Sequence, residues 1–253
     1  MNNPFSVNEI MSEAWNFAKK NIWILLGFTA VQFVFILMIT TFLTGLLGGE
    51  STTAVIIQNI ILSLFDAFFT VAFYQVIFKQ IDEEGEPQFP DFVPNLMKAL
   101  NFVLVKLIIG IVLVILILII SSLYFINTPH TDSVDDIMSS KLLPVFLLIA
   151  IPATYFTIRL CFVVCFIVDQ ESGASESISQ SWTLTKGHFW LIFTLFLIIF
   201  ALNILGAMAL FIGLLFTVPF SSIILIITYR QMVNHYADEE DILIEKPEND
   251  GGA

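Results

Sequence analysis

Between Phe189 and Tyr229 the chain runs for 41 residues without one Asp, Glu, Lys, Arg or His. One helical crossing of a bilayer needs about 20 apolar residues, so this single run is long enough for two. Similar uncharged runs occupy residues 21–49, 107–129 and 142–158. They predict membrane helices over 22–47, 54–78, 102–126, 143–168, 189–208 and 212–236. Gly206 and Gly213 bracket the turn expected between the last two spans. Pro219 then falls early in the sixth, where a missing N–H is expected to cost little.

Composition narrows the class. Of 253 residues, 57 % are hydrophobic and 26 are Phe, which is too apolar for a soluble protein of this size. The net charge of −12 argues against nucleic acid as a partner, because phosphate neutralisation needs a basic surface. It argues equally against a general electrostatic grip on anionic headgroups. The N-terminus is expected not to be a cleavable signal, since the apolar run after Lys19 and Lys20 is too long for a signal core.

Basic residues orient a bundle. Lys19, Lys20, Lys79, Lys98, Lys106, Lys186, Arg230 and Lys246 fall on one side of the expected topology, and Lys141 alone on the other. Eight against one predicts a multi-pass protein of the cell membrane with both termini cytoplasmic. Residues 1–237 are expected to form one membrane domain, followed by an acidic, disordered tail over 238–253.

A repeat lies inside the chain. Trp15-Asn16-Phe17-Ala18-Lys19-Lys20-Asn21-Ile22-Trp23 matches Trp182-Thr183-Leu184-Thr185-Lys186-Gly187-His188-Phe189-Trp190 as W-x-[FL]-x-K-x-x-[IF]-W. Ala99-Leu100-Asn101-Phe102 echoes Ala14-Trp15-Asn16-Phe17 more weakly. Each copy precedes two spans, which predicts an all-α membrane fold of three parallel repeats, each an amphipathic segment plus a two-helix hairpin. Ser6-x-x-Glu9 reads as a capping box that opens the first segment. Trp15, Trp23, Trp182 and Trp190 suit the headgroup region, and Lys19 and Lys186 can snorkel beside them. These anchors set membrane depth, or form a cytoplasmic collar for lipid or a partner.

From the fourth span onward several motifs stand close together. They are Ile151-Pro152-Ala153, Arg159, Ile167-Val168-Asp169-Gln170-Glu171, Ser181-Trp182-x-Leu184-Thr185-Lys186-Gly187-x-x-Trp190, and Gly213-Leu214-Leu215-x-Thr217-x-Pro219 ending in Tyr229-Arg230. This set resembles the broad bacterial group that includes YciC-like inner-membrane proteins. The group also includes the membrane domain attached to some glycerophosphodiester phosphodiesterases. The resemblance implies a shared membrane fold. It does not imply phosphodiester hydrolysis, because the soluble domain that carries that activity is not among these residues.

Asp66 and Arg159 are the formal charges that stand deep within the expected spans, at depths about 5 Å apart at helical rise. A charge near the bilayer centre costs ~2.5–3.5 kcal/mol on insertion scales, so each needs a partner or water. Their matched depth predicts an Asp66–Arg159 pair, acting as a register-fixing ion pair or as part of a polar path. Lys106 is expected in the first turn of the third span, snorkelling to water. Cys161 and Cys165 stand one turn apart, and with no histidine in the apolar core of a span they predict neither a metal site nor a bound cofactor. A lone intramembrane carboxylate also gives aspartyl chemistry no partner. The sequence thus points to a non-enzymatic envelope protein that binds membrane lipid or another membrane protein. A small transporter or transporter subunit, with a path near Asp66 and Arg159, is the alternative.

Overall fold

The structure, a computed structural model, describes residues 4–48, 51–82, 85, 87–127, 142–209 and 212–244. Among them every regular element is a helix. The order is α1 (Val7–Lys20), α2 (Ile22–Leu47), α3 (Thr52–Ile81), a 3₁₀ turn (Phe89–Phe92), α4 (Leu96–Asn127), α5 (Leu142–Arg159), α6 (Val163–Asp169), α7 (Ala174–Leu184), α8 (Phe189–Met208) and α9 (Leu214–Ile244). Among the described residues six stretches are long and apolar enough to cross a membrane, and the chain is a multi-pass membrane protein.

The spans pack in chain order. α2 lies on α3, α3 on α4, α4 on α5, α5 on α8, α8 on α9, and α9 returns to α2. The result is a ring of six long helices. Apolar side chains on its outer face, among them Val31, Phe42, Ile56, Ile111 and Phe200, are exposed. An apolar surface this extensive is expected where acyl chains replace water.

The tight core gathers at one end. It joins Ile10, Ala14 and Ala18 of α1, Val71–Phe78 of α3, α6, and Phe220–Met232 of α9. Tyr229 is fully buried at its centre, ringed by Phe78, Phe162 and Phe166 with centroids 5.9, 6.1 and 5.0 Å away. α6 lies on α3, α4 and α7, and α1 lies on α9 and α2.

Several expectations change here. Ser6 precedes α1 in an extended conformation, but its side chain makes no cap bond, so the capping box is not formed. Glu9 still lies in the first turn and Lys19 and Lys20 in the last, which suits the helix dipole. Ala99–Phe102 do not form a separate amphipathic segment; they lie inside the continuous α4. The physical reason is local. Asn21 breaks the chain between α1 and α2, and Gly187, at φ 87°, turns it into α8. The corresponding residues Val105 and Lys106 give the backbone no such exit. Pro219 is the sixth residue of α9, so its missing N–H leaves the Leu215 carbonyl without an intrahelical donor. α9 also continues through Ile244, past the expected start of the tail at 238, while 245–253 lie outside the described residues.

The expected fourth span is broken. α5 stops at Arg159, residues 160–162 form a turn, and α6 begins at Val163. Ser181 of α7 explains the break. Its Oγ donates to the Arg159 carbonyl at 2.8 Å and accepts the Phe162 N–H at 3.3 Å. A fully buried hydroxyl thus replaces the helical partners of both groups. Ser181→Ala leaves both without that partner, which should cost about 1–3 kcal/mol. Chemical unfolding in detergent measures it, and a loss indistinguishable from zero would show that water substitutes freely.

Candidate functional site

Asp66 is the fifteenth of the 30 residues of α3, and Lys106 the eleventh of the 32 of α4. The two helices are neighbours, and Lys106 Nζ donates to Asp66 Oδ2 in a short, direct ion pair. Lys106 also lies over the Phe102 ring, 5.0 Å from its centroid. Lys106 is therefore not a snorkelling residue of a first turn. It is the counter-ion that an intramembrane carboxylate requires.

Arg159 has different surroundings, so the expected Asp66–Arg159 pair is corrected. Its guanidinium lies over the rings of Tyr155 and Trp182, at 5.2 and 5.3 Å. Nε donates to Tyr155 Oη at 3.2 Å, and Nη1 makes a long contact of 3.4 Å to Thr185 Oγ1. Among the described residues no carboxylate pairs with it. Its height changes too. Tyr155 touches Phe189, the first residue of α8, with centroids 5.5 Å apart. Arg159 is the last residue of α5. It therefore stands at the end of the bundle from which α8 departs, not at mid-span.

Beside this cation is an apolar crevice of about 140 Å³. Ile108, Ile109 and Val112 of α4, Phe156 of α5, and Ile178 and Trp182 of α7 line it. Ile108 and Val112 are exposed on the outer face of the ring, so the crevice opens sideways. Trp182 belongs to both features: it lines the crevice and carries the Arg159 guanidinium.

A charged belt that sequence reading did not assemble ties one end together. Arg230 Nη2 donates to both carboxylate oxygens of Asp82, at 2.9 and 2.7 Å, and pairs with Asp169 at 3.0 Å. Tyr229 Oη donates to Asp169 Oδ2 at 2.8 Å. Lys98 bridges the Val168 carbonyl and Glu171, Lys79 pairs with Asp91, and Gln231 donates to Glu13. The signal was the quoted Tyr229-Arg230 and Val168-Asp169 pairs, but nothing in sequence links them to Asp82.

The expected anchors divide. Trp23 and Trp190 are 83 % and 75 % exposed. Trp15 and Trp182 are less exposed, Trp15 edge-on to Phe216 and Phe220, and Trp182 edge-on to Tyr155 and tilted against Phe156. Lys19 lies over the Trp15 ring and Lys186 is exposed. Gly206 lies in the last turn of α8 and Gly213 in the turn before α9, and the two are in close contact. Among the described residues no three His, Cys, Asp or Glu side chains gather as a metal ion would need.

No curated protein and no solved structure shows a significant match to this chain. A family model described as a protein of unknown function (DUF975) matches residues 11–235. That match does not extend to the YciC-like or phosphodiesterase-attached groups by name. With nearly the whole ring inside it, this six-span helical membrane protein belongs to the DUF975 family.

Proposed function

We propose that this chain is a non-enzymatic protein of the cell membrane that binds lipid. The observation that supports this best is the sideways-opening apolar crevice between α4, α5 and α7. In a membrane, an apolar recess on that face meets acyl chains and no water. The larger cavities among the described residues lie elsewhere. One of about 710 Å³ runs between Phe5–Val7 and Gln231–His235, one of about 600 Å³ lies along Glu9, Glu13 and Lys20, and one of about 440 Å³ between Gln170, Gln180 and Tyr236. None of the three is lined by Asp66, Lys106 or Arg159. The transporter alternative loses the joint path that motivated it, because Asp66 and Arg159 hold different partners.

Gently extracted protein should retain phospholipid in native mass spectra, and a delipidated sample should rebind it. Complete delipidation without rebinding, at unchanged stability, would leave partner binding as the better reading.

Three parallel repeats belong to the same proposal, as does a fold shared with the YciC-like group. Residues 10, 14, 18 and 25 are fully buried, and so are 177, 181, 185 and 192, each 167 positions later. Asn21 (φ −110°, ψ 20°) and His188 (φ −112°, ψ 18°), at the same offset, share one backbone conformation. The ring order of the spans is also what three consecutive hairpins would give.

In this proposal both termini lie in the cytoplasm. With Lys106 inside the bundle and Arg159 at the end that α8 leaves, the basic bias stays eight against one. A cysteine introduced by Asn249→Cys should resist an impermeant maleimide in intact cells and react once the membrane is opened. Reaction in intact cells would reverse the orientation.

A further inference from the structure

We infer that Arg159 and the adjoining crevice form one phospholipid site, with a lipid phosphate on the guanidinium and an acyl chain between α4, α5 and α7. The inference rests on the lipid-binding reading and adds the chemistry of the headgroup. Arginine carries five N–H donors in a planar fork that matches a phosphate. Among the described residues, protein hydrogen bonds engage only Nε and Nη1 of Arg159, which leaves Nη2 to donate elsewhere. Aromatic rings at 5.2 and 5.3 Å stabilise the cation without neutralising it. The neighbour of its contact residue Thr185 is exposed Lys186, a second cation at the same end. Positive charge is thus concentrated locally on a chain whose net charge is −12. Charge complementarity therefore selects a phosphate-bearing occupant.

The apolar half adjoins directly. Trp182 carries the guanidinium and lines the crevice, whose walls expose no polar atom. Phe156 and Leu160, which line it, each follow a residue of the cationic cluster, Tyr155 and Arg159. A soluble anion would use only the first half of this arrangement, and a neutral lipid only the second. A phospholipid uses both. Ordered phosphate contacts at a charged donor change affinity by about tenfold or more.

The test uses the full chain in detergent, native mass spectrometry, and three probes: dioleoylphosphatidylglycerol, dioleoylglycerol and inorganic phosphate. Phosphatidylglycerol should bind at least about tenfold more tightly than dioleoylglycerol, and inorganic phosphate should not displace it. Arg159→Gln should remove most of that preference, lowering phosphatidylglycerol binding far more than dioleoylglycerol binding. Arg159→Lys, which keeps the charge but loses the fork, should fall between. Val112→Phe, which fills the crevice and leaves Arg159 intact, should weaken both lipids. Equal binding of the two lipids by the wild type, or an Arg159→Gln protein with undiminished preference, would overturn the headgroup site while lipid binding itself stood. Displacement by inorganic phosphate would reduce it to an anion site. Loss of both lipids from the wild type would instead sink the broader reading.

Discussion

Removing either partner of the Asp66–Lys106 pair should destabilise the protein by about 2–3 kcal/mol, and removing both should restore most of the loss. The basis is the position of the pair, near the middle of α3 and well inside α4. The side chains are 47 % and 29 % exposed, but exposure at that depth is to lipid. An unpaired charge at the centre of a span costs ~2.5–3.5 kcal/mol on insertion scales. Asp66→Asn leaves the Lys106 ammonium with only the Phe102 ring, and Lys106→Met leaves the carboxylate with nothing better. The double variant leaves one neutral amide and an apolar side chain. A denaturant series in detergent on the four proteins gives the coupling. Additive losses would mean that each charge finds water independently. In the same experiment, Asp66→Asn and Arg159→Gln should be additive, because these two residues share no partner.

That last expectation shows how far the sequence could be read. The spans were legible because hydropathy summed over about 20 residues overwhelms local detail; α2 and α8 begin and end where the uncharged runs imply. Depth was legible along α3, where Asp66 is the fifteenth of 30 residues, but not along the fourth span, because the rise per residue is fixed only while the helix continues and α5 ends at Arg159. Angular position around the ring was not legible. Asp66 on α3 faces α4, which lies between α3 and α5, so its counter-ion comes from α4 and not from α5. Once the ring order is known, Lys106 is the natural partner, and without it depth matching favours Arg159. The break after Arg159 was hidden for a related reason. Leu160-Cys161-Phe162 contains no Gly or Pro, and the group that opens the helix is Ser181, donated from α7. Tertiary contact there overrides local propensity. The Arg159–Trp182 contact depends on the same break, so the candidate lipid site could not be assembled from sequence even though Arg159, Trp182 and Lys186 had each been singled out; Tyr155 had not.

Gly213→Ala should cost about 2–3 kcal/mol, whereas Gly27→Ala and Gly110→Ala should be neutral or slightly stabilising. The methyl group introduced is the same in each case, and the surroundings decide the sign. A Cβ on Gly213 would lie 2.6 Å from the Gly206 carbonyl oxygen and 2.7 Å from its Cα. Those are backbone atoms, so no rotamer change relieves the clash, and α8 and α9 must separate. Overpacking of this kind costs about 1–3 kcal/mol or more. Gly206→Ala would meet the Thr217 side chain first. Thr217 can rotate, so the loss there should be smaller. Gly27 in α2 and Gly110 in α4 have nothing within 4 Å of an added Cβ. Alanine there gains the ~0.5–1 kcal/mol that glycine forfeits in a helix. Denaturant titrations of the four variants would rank them, and a Gly213→Ala protein as stable as Gly27→Ala would show that the turn relaxes at no cost. The ranking also reaches the candidate site. The same α8–α9 approach holds Asn203 on Ser221 at 3.0 Å and fixes how α8 lies on α5. Since Phe189 of α8 packs on Tyr155, a loosened hairpin should weaken retention of phosphatidylglycerol at Arg159 in proportion to its loss of stability.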